Sequence, residues 1–300
     1  MSFASEIKDS LCRVQEDSPC CRTVELAAIV CFAGSYTHEQ LKIRTEHESV
    51  AQRVVTLLSD ILSESDFSYE KPKRESGWHI VTVRGGDAAE NLADALSLYQ
   101  SGALVLCPSE TAHLPSCCKT AFLRGAYLGG GSMSDPEKNY HLEFVTRTAP
   151  LADRLYELLE ALSLPAKITV RKNSFVVYIK DSEAIAQLLG LIGAGGSMMA
   201  FYNIKIEREL RNTVNRQVNC DSANLDKITA AAGRQIAAIQ KIQQTTGFDN
   251  LPPVLGEIAA LRLENPEMSL KELGALLDPP IGKSGVNHRL ERICLLADSL

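Results

Sequence analysis

The sequence lacks three features that mark specialised classes of protein. Its 31 lysines and arginines are outnumbered by 37 aspartates and glutamates, so it has no overall positive charge. Its nine cysteines form no CxxC pair, and its first residues, MSFASEIKDSLCRV, include early acids and no continuous apolar run. These absences argue against a strongly basic nucleic-acid binder, a zinc finger, a disulfide scaffold and a secreted protein.

Long apolar runs are also scarce, with one exception. Residues 184–204 carry no charge over about the length of a membrane span, but glycines, Gln187 and Asn203 interrupt the run. A composition of 45% hydrophobic and 23% charged residues is typical of soluble globular proteins. We therefore expect a cytoplasmic protein of one large domain or two ordinary ones, with no membrane partner.

An internal duplication is the clearest signal that is present. Residues 20–35 read CCRTVELAAIVCFAGS and residues 117–132 read CCKTAFLRGAYLGGGS, with a constant offset of 97 residues. This period is too long for a solenoid repeat and indicates two copies of a compact half-domain.

The order of predicted elements also repeats. After the first segment we predict a strand over 36–44, a helix over 50–62, strands at 67–69 and 78–83, and a helix over 87–99. The second half repeats this order with a strand over 140–147, a helix over 151–162, a hairpin of 166–171 and 174–179, and a helix over 183–192. The fold class is α+β, with sheets packed on helices.

The repeated segment resembles the LAGLIDADG motif of homing endonucleases, in LAAIVCFAG and LRGAYLGGG. This resemblance implies a pseudo-symmetric αββαββα pair whose two motif helices pack together. In that family, an acid near the end of each helix holds the metal for DNA cleavage. Here the acid positions fall on Ala33 and Gly130, neither of which can coordinate Mg²⁺. We therefore expect no catalytic residues, no nuclease activity and no cofactor.

The small residues of the motif remain, as close helix packing requires. They are Ala27, Ala28, Ala33, Gly34, Gly125, Gly129, Gly130 and Gly131.

The doublets Cys20-Cys21 and Cys117-Cys118 admit a zinc hypothesis, because duplication could bring them together. Adjacent cysteines rarely chelate one ion well, and no histidine follows at zinc-finger spacing. We interpret them as small buried residues at helix starts and predict no metal site.

A basic segment follows the duplicated domain. Residues 205–216, KIERELRNTVNR, contain Arg208, Arg211 and Arg216, which could contact DNA phosphates. An equally good interpretation is a solvated lead-in to a connecting helix over 224–245.

The last fifty residues predict a helix-turn-helix. A first helix ends near Leu263, a Ser269–Glu272 capping box starts a second over 270–277, and Asp278-Pro279-Pro280 ends it. We expect Ser284 to cap a third helix, with Val286, Leu290, Ile293 and Leu296 directed inward.

The outward side of that third helix would then face DNA. Asn can bind adenine edges and Arg guanine edges, while Lys and Ser hold phosphates. The alternative is an ordinary three-helix bundle with a polar surface. The candidate DNA-binding residues are Lys283, Ser284, Asn287, His288, Arg289 and Arg292.

Four segments together resemble the WhiA family across nearly the whole chain. They are ELAAIVCFAGS, SCCKTAFLRGAYLGGGS, NRQVNCDSANLDK and SLKELGALLDPPIGKSGVNHRLERI. This resemblance implies a bacterial, nucleoid-associated regulator that binds double-stranded DNA and controls transcription in cell division, chromosome segregation or sporulation. Other regulatory or cell-division proteins would be possible partners.

The expected domains are a degenerate LAGLIDADG-like domain over 1–204 with halves at about 1–105 and 106–204, a basic linker and connecting helix over 205–248, and a helix-turn-helix domain over 249–300. Two alternatives stay open. One is an active or residual Mg²⁺-dependent endonuclease, and the other is a protein-interaction or RNA-binding scaffold. The duplicated domain could supply a second DNA surface or a protein-interaction surface.

Overall fold

A computed structural model describes residues 2–37, 40–72, 77–100, 103–104 and 114–300. The chain divides into two compact units, Met1–Arg208 and Glu209–Leu300. No helix among these described residues combines the length and apolar character needed to cross a membrane.

The first half of unit one is an αββαββα arrangement preceded by one extra helix. Its elements are α1 (Phe3–Cys12), α2 (Pro19–Ala33), β1 (Gly34–Thr37), β2 (Gln40–Thr45), α3 (Glu48–Leu58), β3 (Phe67–Glu70), β4 (His79–Arg84) and α4 (Asp87–Ala95).

A short strand pair, β5 (Tyr99–Gln100) and β6 (Ala103–Leu104), comes before the second half. That half repeats the αββαββα order. Its elements are α5 (Ser116–Gly130), β7 (Gly131–Met133), β8 (Leu142–Thr146), α6 (Ala149–Ala161), β9 (Lys167–Arg171), β10 (Ser174–Ile179) and α7 (Ser182–Leu191).

The two four-stranded sheets have matching topology. Their strand orders are β1-β2-β4-β3 and β7-β8-β10-β9, and every pair in both is antiparallel. Alternation along β2 buries Leu41 and Ile43 and turns Lys42 and Arg44 to the other face. This matched pair of sheets confirms the predicted α+β class and duplicated αββαββα fold.

The element predictions are wrong at the first strands. The single strand predicted over 36–44 is a hairpin of β1 and β2, and the sequence analysis missed β7. Both β1 and β7 begin at the glycine directly after a helix and lack alternating apolar residues, so no strand pattern marks them. The expected boundary between halves, at 105 and 106, lies outside the described residues.

Small residues allow α2 and α5 to pack closely at the centre of unit one. A Cβ atom on Gly125 would lie 2.2 Å from the carbonyl oxygen of Glu25 and 2.8 Å from the Cβ of Ala28. Ala28 and Gly125 occupy equivalent positions in the repeat. The side chains around this contact, including Ile29 and Tyr127, are fully buried in one hydrophobic core.

Helix α8 (Gly195–Thr245) is longer than predicted. It begins two residues after Gly193, whose φ of 96° ends the preceding segment, so the apolar run over 184–204 is divided between α7 and α8. Residues 205–248 were expected as a lead-in and a separate helix, but 205–245 are one continuous helix. The charged residues of 205–216 are good helix formers, so the change in composition there does not interrupt the helix.

The rest of unit two is helical. A 3-10 turn (Phe248–Asn250) precedes α9 (Pro253–Glu264), α10 (Leu270–Ala275) and α11 (Lys283–Asp298). These helices and the end of α8 share a second hydrophobic core. Its buried members include Ile239, Ile242, Leu255, Ile258, Leu273, Leu277, Val286, Leu290 and Ile293.

Candidate nucleic-acid interface

Helices α10 and α11 are joined by a tight turn. The predicted capping box is present: Ser269 accepts a hydrogen bond from the Glu272 amide at 3.3 Å, and Glu272 accepts one from the Ser269 amide at 2.8 Å. The Ile281 amide then donates to the Gly274 carbonyl at 3.0 Å, and a Cβ on Gly274 would lie 2.2 Å from the Ile281 carbonyl oxygen. Close backbone approach at Gly274 therefore fixes the connection into α11.

The structure corrects two details of α11. Gly282, not Ser284, is the N-cap residue, and no side chain caps the helix, so Ser284 lies inside the first turn. Leu296 was predicted to point inward but is 38% exposed, whereas Ala297 is buried. Ala297 continues the helical spacing of Val286, Leu290 and Ile293, although Leu296 has the larger apolar side chain.

The predicted DNA-contacting residues lie on the surface of α11 with unequal exposure. Lys283, Ser284, His288 and Arg292 are exposed, and Asn287 and Arg289 are half-buried. The amide nitrogen of Asn287 donates to Oε1 of Glu291, 2.9 Å away. Asn287 is therefore held by an intrahelical hydrogen bond that it would have to exchange in order to bind a base.

A groove beside the start of α11 brings in two lysines that the sequence analysis missed. Lys227 of α8, Lys271 of α10 and Lys283 of α11 line the same cavity of about 400 Å³. Lys227 is far from α11 in sequence and Lys271 lies on the preceding helix, so the fold brings both lysines to this face. Three lysines and Arg262 line this groove and form a local positive surface on a chain of net negative charge.

Arg262 is the most buried of the cationic residues that line this groove. It is 2% exposed, its Nε donates to Gln235 at 3.1 Å, and its Nη1 donates to the Met268 carbonyl at 2.7 Å. Burial lowers the pKa of Arg262 from its ordinary value. The side chain thereby ties α8 and α9 to the segment that leads into α10.

The predicted phosphate contacts in 205–216 divide into two groups. Arg208 donates to the Pro136 carbonyl at 2.6 Å, and its guanidinium lies 4.6 Å from the Tyr140 ring centroid. The sequence could not reveal these contacts within unit one, and a phosphate contact of Arg208 stays a prediction. Arg211 and Arg216 are exposed on α8.

The lost acid positions occupy equivalent places. Ala33 is the last residue of α2 and Gly130 the last residue of α5. A Cβ on Gly130 would lie 2.6 Å from the Val145 carbonyl oxygen and 2.8 Å from Cδ1 of Phe32. The second position therefore has no room for any side chain.

A small cavity of about 230 Å³ opens beside Gly130, and Lys8, Glu46, His47 and Trp78 are among the residues that line it. Burial lowers the pKa of Lys8 to about 8 and also lowers the pKa of His47. Among the described residues, one group of side chains has ligand atoms close enough together to hold a metal ion. It consists of Cys20, Cys21, Cys117 and Cys118 at the starts of α2 and α5, whereas Ala33 and Gly130 lie at the ends of these helices.

The outer face of the first sheet is a second basic surface. By register, Lys42 and Arg44 share this face with Arg84 and with one acid, Glu70. On the corresponding strands of the second sheet, Glu143 lies 3.6 Å from Arg171 and 3.0 Å from His141. The first sheet therefore offers the more positive of the two faces.

Two family models match parts of the chain. Residues 119–211 match the family model of the WhiA LAGLIDADG-like domain, and residues 214–297 match the WhiA C-terminal HTH domain. A relative named "Probable cell division protein WhiA" from Lachnoclostridium phytofermentans is 42% identical over 100% of this chain and 99% of its own length. A protein of the same name from Heliobacterium modesticaldum is 40% identical over 100% of this chain and 97% of its own.

A solved structure is also similar along the full length. It is described as full-length DUF199/WhiA from "Thermatoga maritima", and it matches with a TM-score of 0.61 at 26% identity, covering 100% of this chain and 99% of that one. The resemblance inferred from the sequence motifs is confirmed by these matches.

Proposed function

Because the chain belongs to the WhiA family, we propose that it is a non-catalytic, sequence-directed DNA-binding protein that regulates transcription. The processes it serves are cell division, chromosome segregation or sporulation, and the names of its relatives support the first of these. It acts in the cytoplasm at the nucleoid, with double-stranded DNA as its main partner. Other regulatory or cell-division proteins complete its set of partners.

The surface of α11 carries this proposal. Its surface combines exposed Lys283, Ser284 and Arg292 with half-buried Asn287 and Arg289, and these residue types bind phosphates and base edges. A helix presented in this way after a short helix and a tight turn has the geometry that enters a major groove. Lys227 and Lys271 flank the groove beside it and add phosphate contacts.

The acidic composition restricts where DNA can bind. With a net charge of −6, the chain as a whole repels DNA, so attraction must come from a local basic face. Each phosphate that a lysine or arginine neutralises releases counterions, so affinity should fall steeply with salt. The steepness of that fall therefore reports how many of these cations contact phosphates.

We propose that the chain has no nuclease activity because of the residues at the ends of α2 and α5. Mg²⁺ requires hard oxygen ligands, and the side chains at Ala33 and Gly130 supply none. Gly130 also has no space for a replacement side chain. An active nuclease would need ligands from elsewhere.

Two experiments test the proposal. Immunoprecipitation of the full-length protein from cells, followed by sequencing of the bound DNA, should recover a limited set of promoter fragments. The Asn287→Ala/Arg289→Ala variant should lose them. Recovery of RNA or protein partners alone, with no enriched DNA, would favour the scaffold alternative.

Incubation of the purified chain with plasmid and Mg²⁺ should leave the DNA intact, and site-specific cleavage would establish the endonuclease alternative instead. The DNA affinity of the Lys42→Ala/Arg44→Ala variant tests whether the first sheet adds phosphate contacts.

A further inference from the structure

The two cysteine doublets meet at one end of the central helix pair. Cys20 and Cys21 are the second and third residues of α2, and Cys117 and Cys118 are the second and third residues of α5. All four lie at helix starts as predicted, but the prediction that all four are buried is wrong. Cys20 and Cys117 are in fact exposed. The pairing of α2 with α5 brings together doublets that are 97 residues apart.

The four sulfur atoms form a compact cluster, with every Sγ within 4.8 Å of the others. Three of the distances between Sγ atoms approach those expected for sulfurs bound tetrahedrally to one metal ion. Cys118 Sγ lies 3.6 Å from Cys20 Sγ, 4.0 Å from Cys21 Sγ and 4.0 Å from Cys117 Sγ. Sulfurs around a zinc ion with bonds of about 2.3 Å would be about 3.8 Å apart. Small movements of the side chains would therefore complete the coordination.

The surroundings suit a buried structural ion with an access path. Cys21 and Cys118 belong to a small apolar cluster with Ala121, against which Val24 and Leu114 pack. Cys20 and Cys117 close the outer side, where solvent reaches them.

We propose that Cys20, Cys21, Cys117 and Cys118 bind one thiophilic divalent cation, zinc, as a closed tetrathiolate site. Binding replaces thiol protons, which leave to solvent, and involves no change in oxidation state. With all four positions filled by protein sulfur, no position remains for substrate, so the site is structural. It joins the first turns of α2 and α5 and so fastens the two halves of the duplicated domain.

A disulfide is a less suitable occupant of this cluster. A disulfide joins two sulfurs at about 2.05 Å, much closer than the separations of 3.6 to 4.0 Å observed around Cys118. The observed arrangement singles out no pair, because the three separations around Cys118 are nearly equal. Four mutually close thiols match the requirement of one four-coordinate ion.

The test is the metal content of the full-length protein, purified without chelator, by elemental mass spectrometry. We expect one zinc per chain. Replacement of zinc by Co²⁺ should give the absorption bands of tetrahedral thiolate coordination. The Cys20→Ser/Cys117→Ser variant should lose both, and it should fold because these side chains are exposed. Cys220→Ser, which removes an exposed cysteine of α8, is the matched control and should keep both.

Two results would overturn the proposal. One is a chain without metal that also fails to bind added Zn²⁺ or Co²⁺ while all nine thiols react after denaturation. The other is a disulfide among the four cysteines in protein prepared without oxidant. Zinc that survives in Cys20→Ser/Cys117→Ser but is lost with Cys220→Ser would place the ion elsewhere. Each readout is independent of DNA binding, so failure here leaves the proposed function intact.

Discussion

Glu25 of α2 and Arg124 of α5 form an ion pair across the two repeated helices, with Arg124 Nη1 3.1 Å from Glu25 Oε2. Glu25 is fully buried and also accepts two hydrogen bonds from Arg53 of α3, at 2.8 and 3.0 Å. Arg124 in turn donates from Nε to the Ile192 carbonyl at 2.9 Å. One carboxylate thus links the helix pair to α3, and its arginine partner links the pair to the end of α7.

Removal of one member of this group should be strongly destabilising. Arg124→Met leaves a buried carboxylate with one cationic partner in place of two, and we expect a loss of about 3 kcal/mol in the free energy of unfolding. Urea denaturation of the full chain measures this loss. The control is Arg22→Ala, which breaks the more exposed pair with Asp60 and should cost less than about 1 kcal/mol. Equal losses in the two variants would show that the buried group has no special role.

Close helix packing gives a second prediction. Gly125→Ala forces a Cβ into the Glu25 carbonyl oxygen, so α2 and α5 must separate, and we expect a loss of about 1–3 kcal/mol. Gly196→Ala at the start of α8 meets no atom within 4 Å and should change stability by less than about 1 kcal/mol. Thermal unfolding of the two variants compares them. An unchanged melting temperature for Gly125→Ala would contradict the close approach.

The two lost acid positions should respond differently to substitution. Ala33→Asp adds a carboxylate to an existing Cβ, whereas Gly130→Asp places its Cβ 2.6 Å from a backbone oxygen. We expect Gly130→Asp to be the less stable by about 1–3 kcal/mol, again measured by urea denaturation. Neither variant should cleave plasmid with Mg²⁺. Similar stabilities would show that the glycine is not needed for space.

These contrasts indicate what the sequence could and could not predict. The repeat located α2, α5 and the lost acids, because a gapless 97-residue offset constrains position strongly. The repeat could not reveal that Glu25 and Arg124 form an ion pair, since this contact depends on how the two helices cross. For the same reason Lys227 and Lys271 were missed as neighbours of α11, and the hydrogen bond of Arg208 to a carbonyl of its own unit was not predicted.

The lowered pKa of Lys8 predicts a pH dependence of stability. Burial is the main cause, with Cys12 and Glu46 opposing it, so the charged form is disfavoured in the folded state. Between pH 8 and 10.5 the unfolded chain holds more protons at this residue, and stability from Lys8 should rise with pH. Lys8→Met should therefore stabilise the protein at pH 7 by at most about 3 kcal/mol, and the gain should shrink at pH 10.

Urea denaturation at both pH values measures this difference. Lys138→Met, at a side chain 80% exposed, serves as the control. A gain from Lys8→Met that is the same at pH 7 and pH 10 would contradict the assignment.

The central claim is that α11 binds DNA bases. Fluorescence anisotropy with a labelled duplex taken from the immunoprecipitated DNA compares the full-length wild-type chain, the Asn287→Ala/Arg289→Ala variant and a charge control. The control is Arg13→Ala, which removes one positive charge at an exposed residue of unit one. We predict a loss of affinity of about 10-fold or more for the double variant, with unchanged thermal stability, and wild-type affinity for the control. Equal affinity of the double variant and the control would contradict the account.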